Sequence, residues 1–333
     1  MSSEQNPSSE PERAHPERAP RNPVIDEFRG LAILMMVPVN YLEHVRAVPA
    51  SLKHAKDVGL TVADLVAPFF IFAVALTSTT SLRRRFARDG GFGTFEHLLR
   101  RSMALIGIGA LFSIGETSHG FNVTGGQWGT LQAIGVSVLL SAPMLAVSPK
   151  VRLVLALVGL SVYQWALDAY WLESVLAANH AGIKGSLSWA LLLVLGTVVA
   201  DLGREGGRHR ASLWALGLLS LGLAASLLIP VSKHRMSLSF DLIVCGLSGL
   251  LFVLLERLGE RGWSSVLLVR WGRNPLLLYV SHLVTLGIFL VPEAPWWHVE
   301  APLGQAIVQG GLYLFGLDLW ARFLERRRFF LSL

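Results

Sequence analysis

Charge is scarce in this chain. Asp, Glu, Lys and Arg make up 16% of its 333 residues against 52% apolar residues, which excludes an ordinary soluble globular surface. Cysteine is nearly absent. The single thiol, Cys245, excludes an internal disulfide, an iron–sulfur cluster and a cysteine-built zinc site. No His-x-x-x-His spacing with a carboxylate occurs, nor Ser-x-x-Lys, nor Gly-x-Ser-x-Gly. Neither a metal centre nor a serine nucleophile is therefore expected.

What is present is a series of apolar runs of roughly 20 residues, the length a helix needs to cross a bilayer. Ten are readable: 28–45, 60–82, 98–115, 128–147, 152–171, 185–201, 211–230, 239–256, 274–291 and 303–321. The fold class is thus all-α, a polytopic integral membrane protein with about ten transmembrane helices. Assigning alternate loops to alternate sides puts 23 of the 29 Lys and Arg on one side and 6 on the other. The positive-inside rule then sets both termini in the cytoplasm. The net charge of +6 is in this reading a topology signal. It points to a lipid bilayer as partner and not to nucleic acid.

Residues 1–23 are rich in Pro, Glu, Ser and Arg without apolar periodicity and are expected to be a disordered cytoplasmic tail. Residues 24–333 are expected to form a single transmembrane domain. Gly107, Gly109, Gly246 and Gly249 suggest close helix contacts. Trp296 and Trp297 suit an interfacial belt.

The outer side holds most of the histidines: His44, His54, His119, His180, His234 and His298 fall in outer loops or outer helix ends. His54 differs from the rest by its surroundings. It opens the segment His54-Ala55-Lys56-Asp57-Val58-Gly59-Leu60-Thr61-Val62-Ala63-Asp64, where Thr61 and Asp64 have capping-box spacing. A carboxylate at mid-membrane costs about 2.5–3.5 kcal/mol, so Asp64 at a span's edge calls for a cap, a functional role, or both. Asn40 and His44 share a helix face on the first span, with Glu43 beside them. Asn40, His54 and Asp64 can therefore line one outward pocket as an amide, a base and the carboxylate that orients it.

A second constellation, Gly272-Arg273-Asn274-Pro275, starts the ninth span with an N-cap and a first-position proline. Its basic flank, Arg270 and Arg273, suits an anionic group at a helix N-terminus as well as it suits the positive-inside rule. His282 lies eight residues on, about 12 Å deeper at 1.5 Å per residue. An imidazole at that depth is a candidate functional group. Asp26 and Arg29 begin the first span and can pair with each other. Gln132 is a further polar residue within the fourth.

Val24-Ile25-Asp26-Glu27-Phe28-Arg29-Gly30-Leu31, Val39-Asn40-Tyr41 and the stretch from Lys53 to Phe70 resemble the heparan-α-glucosaminide N-acetyltransferase family of transmembrane acyltransferases. Leu131-Gln132-Ala133-Ile134-Gly135 and Arg273-Asn274-Pro275 through Tyr279 to His282 look like later motifs of that family. The resemblance implies a membrane-bound N-acetyltransferase that moves an acetyl group from cytoplasmic acetyl-CoA to a glucosamine-type amino sugar or glycan across the membrane. It implies His54 as the catalytic histidine and Asn40 and His282 at the substrate; Asp64 is the catalytic partner that the residue pattern itself supplies. Arg29, Arg273 and Asn274 would hold the CoA phosphates. His54 would act either as general base or as an acetyl-histidine relay. Family members carry an aromatic residue where this chain has Asp57. The alternatives are O-acetylation of a cell-envelope polysaccharide and, from another class, transport. A bacterial inner-membrane location is expected, and the assembly state, homodimer included, stays open.

Overall fold

A computed structural model describes residues 22–118, 128–290 and 294–331. Among these, regular structure is helical, and Gly59 and Ser232 form an isolated bridge. His119 and residues 1–21 of the expected tail lie outside the described residues. Asn22 and Pro23, placed in that tail by the sequence reading, open the first helix instead. The Asn22 side chain accepts from Val24 N at 3.0 Å, and Pro23, which has no N–H to lose, takes the first turn.

The helices are α1 (Pro23–Leu42), α2 (Val66–Ser118), α3 (Thr130–Ser141), α4 (Pro149–Ala166), α5 (Leu172–Leu176), α6 (Gly182–Ala225), α7 (Leu238–Glu260), α8 (Val266–Arg273), α9 (Pro275–Leu290) and α10 (Leu303–Arg326). All ten hydrophobic runs fall on them. Two pairs of runs share one continuous element. α2 is broken at Gly90 (φ 70°, ψ −174°) and α6 at Gly207 (φ 72°, ψ 179°), a backbone region open essentially to glycine alone. Among the described residues, four stretches are long and apolar enough to cross a membrane: Ala63–Gly115, Pro149–Leu176, Asn179–Ala225 and Leu238–Glu260. Two shorter apolar helices, Thr130–Ala146 and Pro275–Ile288, accompany them.

The core centres on α1, α2, α6 and α7. Phe28 of α1 meets Phe69 and Phe72 of α2 at 5.7 and 5.5 Å and Phe252 of α7 at 6.1 Å between ring centroids. α6 and α7 approach closely because Gly246 faces the Ala215 carbonyl and Gly249 faces the Ala215 side chain, where a methyl would collide. Gly109 lies against Gln132 in the same way, whereas Gly107 faces open space and has no such packing role.

Several polar residues inside the bundle pair with one another. The buried Asp201 carboxylate receives Thr79 at 2.7 Å and the guanidinium groups of Arg152 and Arg204, while Arg152 also donates to Thr197 at 2.6 Å. One carboxylate thereby ties α2, α4 and α6 together. Uncompensated, the same charges would oppose burial. α8 lies against α1 through two glycines of the sequence motifs: Gly30 faces the Leu268 carbonyl and Gly272 the Asp26 carbonyl. Glu27 adds a polar tie, its Oε1 accepting from Ser264 Oγ at 2.6 Å and Ser265 N at 2.9 Å just ahead of α8.

Candidate active site

The segment after α1 is folded by one carboxylate. Asp64 is fully buried, and its Oδ2 accepts from Thr61 N at 3.0 Å and Ala55 N at 3.2 Å, with Thr61 Oγ1 also at 3.0 Å. The Thr61 hydroxyl also reaches Lys53 O at 2.7 Å. Asp64 therefore performs the reach-back half of a capping box and still has Oδ1 to spare. That oxygen lies 2.9 Å from His54 Nδ1. A carboxylate only accepts, so Nδ1 carries the hydrogen, and the lone pair of the neutral ring sits on Nε2. His54 N in turn donates to Glu43 Oε2 at 3.1 Å, anchoring the segment to the end of α1. The His54 side chain keeps 30% of its surface accessible.

A second loop, between α6 and α7, closes on the first. Gly59 N donates to Val231 O at 2.8 Å. Arg235 grips Asp57 with two nitrogens, Nε reaching Oδ1 at 2.8 Å, and Ser232 Oγ donates to the same Oδ1 at 3.0 Å. The Arg235 guanidinium holds the Asp57 carboxyl below its usual range. Asp57 thus serves as a clamp between the two loops. Lys233 brings its ammonium to 3.0 Å from His54 Nδ1 and 3.9 Å from Asp64 Oδ1. Burial pushes the Lys233 ammonium down to about 8, against the pull of Asp64 and Glu43.

The other two expected residues pair directly. Asn40 Nδ2 lies 2.9 Å from His282 Nε2, and His282 Nδ1 lies 2.7 Å from the Tyr279 carbonyl. A carbonyl also only accepts, so Nδ1 bears the hydrogen and Nε2 takes the hydrogen of the Asn40 amide. This aims the Asn40 carbonyl oxygen away from His282. Tyr313 OH donates to His282 O, and the Tyr279 ring stands edge-on to His282 at 5.6 Å. Asn40 precedes Glu43 by three residues, about 4.5 Å along the helix. The Asn40–His282 pair and the Glu43-anchored His54 therefore occupy the same end of α1.

Arg29 and the α8–α9 junction stand elsewhere. Arg29 lies eleven residues before Asn40, about 16 Å along α1, donating to Thr77 at 3.1 Å with Asp26 at 3.4 Å. Arg273 Nη1 donates to Glu325 Oε1 at 2.6 Å, and Arg270 reaches Glu325 and Asp318 at 2.9 and 3.0 Å. Asn274 takes the N-cap place of α9 with its backbone, since Leu278 N donates to its carbonyl at 3.0 Å. Its side chain is spent otherwise: it accepts from Leu331 N at 3.0 Å and donates to Phe329 O at 2.7 Å, tying down the segment after α10. Gln132 Oε1 accepts from Gly129 N at the start of α3. No group of three His, Cys, Asp or Glu side chains that could hold a metal occurs among the described residues.

The family described as heparan-alpha-glucosaminide N-acetyltransferase, catalytic, matches residues 21–237, more than half of the chain. The chain belongs to that family. The human (Homo sapiens) heparan-alpha-glucosaminide N-acetyltransferase is 38% identical over 96 residues, which cover 28% of this chain and 14% of the human protein. The N-acetyltransferase match contains Asn40, His54, Asp64 and Lys233. It ends at residue 237, so Arg273, Asn274 and His282 lie beyond it, and His282 is joined to the matched part through Asn40.

Sequence reasoning paired His54 with Asp64 and grouped Asn40 with them, but passed over Lys233 and Arg235, counting them only as outer-side charges. Their partners His54 and Asp57 lie 179 and 178 positions away. The one local signal was their place in a short polar stretch, Val231-Ser232-Lys233-His234-Arg235, between two apolar runs.

Proposed function

We propose that this protein is a membrane-bound N-acetyltransferase that moves an acetyl group from cytoplasmic acetyl-CoA to the amine of a glucosamine-type sugar on the extracytoplasmic side. The observation that carries this reading is the His54–Asp64 pair. A buried carboxylate fixes the ring through Nδ1, leaving Nε2 as a base, within a segment that belongs to an N-acetyltransferase family.

In the proposed reaction His54 Nε2 takes a proton from the amine as its nitrogen attacks the thioester carbonyl carbon. Collapse of the adduct breaks the C–S bond, and the thiolate leaves with the proton held by His54. Asp64 acts through His54, orienting the ring and stabilising the imidazolium. Asn40, held by His282, presents its carbonyl oxygen to a donor on the substrate. Holding thioester and amine together contributes by proximity.

The same reading has residues 24–333 form one domain crossing a bacterial inner membrane about ten times, with both termini in the cytoplasm. The breaks at Gly90 and Gly207 support this count, because each divides a long helix into two arms of spanning length. Arg29 and Arg273 would then stand at the cytoplasmic end and receive the CoA phosphates, which would exchange for the carboxylates that the two arginines now face, while the Asn274 side chain stays on Phe329 and Leu331.

The test is acetyl transfer by purified protein in sided vesicles, with acetyl-CoA on the side of the termini and a panel of amino and hydroxyl sugars on the other. Acetylation of glucosamine-type amines is the expected result. Transfer to hydroxyl sugars alone would replace this reading with O-acetylation, and no transfer to any acceptor would refute it.

A further inference from the structure

The α6–α7 loop brings a charge to the site that the two hydrogen-bonded pairs leave unused. The ammonium of Lys233 lies 3.0 Å from His54 Nδ1 and 3.4 Å from Nε2, and its side chain keeps only 12% of its surface accessible. An ammonium offers three N–H donors. His54 Nδ1 gives its own hydrogen to Asp64 and has no lone pair for Lys233. Asp64 Oδ1, at 3.9 Å, is beyond hydrogen-bond reach. At most one ammonium hydrogen, directed at Nε2, has an acceptor among the described protein groups. A largely buried cation with two hydrogens unclaimed, beside the lone pair of the base, is matched to an oxygen that becomes negative there.

We propose that Lys233 is a catalytic residue whose ammonium donates to the carbonyl oxygen of the acetyl thioester as negative charge develops on it. The assignment rests on the acyl-transfer reading of His54. When the amine nitrogen bonds to the carbonyl carbon, the C=O π pair moves onto oxygen and the amine proton passes to His54 Nε2. Lys233 stabilises that oxyanion without giving up its proton. The pair then returns to re-form C=O as the C–S bond breaks, and the leaving thiolate takes the proton from His54. Preorganised donors in a water-poor site are worth most at this step.

The cation must be present for this role. Glu43 at the end of α1, His54 and Asp64 in the following segment and His180 ahead of α6 face Lys233, while Arg235 is committed to Asp57 and His234 to the Leu176 carbonyl. Since the ammonium is brought down to about 8, activity should fall as pH rises through that value.

The experiment measures steady-state acetyl transfer by the purified full-length protein, as wild type, Lys233→Met and Lys233→Arg, across neutral to alkaline pH. The Met variant is expected to lose about 10²–10³-fold in kcat, the range for removing one oxyanion donor, with KM for acetyl-CoA little changed. The Arg variant should recover part of the rate and lose the alkaline decline near pH 8, because a guanidinium stays charged. A Met variant with wild-type kcat, or an Arg variant whose rate still falls near pH 8, would overturn the assignment. If Lys233→Met does not fold, the Arg profile decides alone. A wild-type protein without acetyl transfer instead refutes the acyltransferase reading, so the two failures are distinguishable.

Discussion

His282 Nε2 accepts the Asn40 amide across 2.9 Å, joining α9 to α1 over 242 positions of sequence. Because His282 Nδ1 is committed to the Tyr279 carbonyl, the ring has no nitrogen left for a proton from substrate while this bond holds. In the proposed function it sets the direction of Asn40. The Asn40→Ala and His282→Ala variants should therefore lower kcat by comparable amounts, and the double variant should lose little more than either. A double-mutant cycle is expected to return a coupling of about 1–2 kcal/mol. Additive losses would show that His282 acts independently.

The Asp57–Arg235 pair gives a pH prediction with a definite sign. The Asp57 carboxyl is held below its usual range in the folded protein by Arg235. Its contribution is therefore fully present above the unfolded carboxyl's value near pH 4 and is lost as pH falls through the lower folded value. Asp57→Asn should reduce stability by about 1 kcal/mol at neutral pH, in keeping with a partly exposed bidentate pair, and by less in strong acid. Melting temperatures of the two proteins at several pH values check this. A difference that grows toward acid would contradict it.

Two glycines should be intolerant of a methyl for a reason visible in the helix contacts. A Cβ at Gly30 would coincide with the Leu268 carbonyl oxygen, and one at Gly272 with that of Asp26. Either alanine would force α1 and α8 apart, costing about 1–3 kcal/mol or more. Gly107→Ala is the control. It faces open space and should be neutral or slightly stabilising through helix propensity. Thermal unfolding in detergent distinguishes them, and a tolerated Gly30→Ala would refute the close α1–α8 contact.

These contacts also mark what the sequence could convey. The ten apolar runs were legible as helices from their length and composition. The His54–Asp64 bond was legible because both partners lie within eleven residues and Thr61 supplies a turn signal. Gly30 and Gly272 stood inside recognisable motifs, but their mutual purpose depends on two helices more than 200 residues apart. Arg273 and Asn274 read as an open anion site, whereas Glu325, Phe329 and Leu331 occupy their side chains. No local pattern announces a partner so far along the chain. Lys233 was hidden in the same way, its charge visible and its neighbour not.

Cys245 makes membrane topology directly measurable. It is buried in the core and acts as a small apolar side chain, so a Cys245→Ala protein should retain the fold and provide a cysteine-free background. Single cysteines near Gly90 and Gly207 should then react with an impermeant reagent from the side of the termini, and one at Lys56 from the opposite side. Labelling of all three from one side would contradict the proposed arrangement of spans.

The account depends most on His54 Nε2 as the group that activates the nucleophile. Acetyl transfer from acetyl-CoA to glucosamine should be measured with wild-type protein and with His54→Ala protein shown to keep the wild-type melting temperature. Loss of about 10²–10⁴-fold in kcat, the range for a positioned general base, is the expected result. A folded His54→Ala protein with full activity would contradict the account.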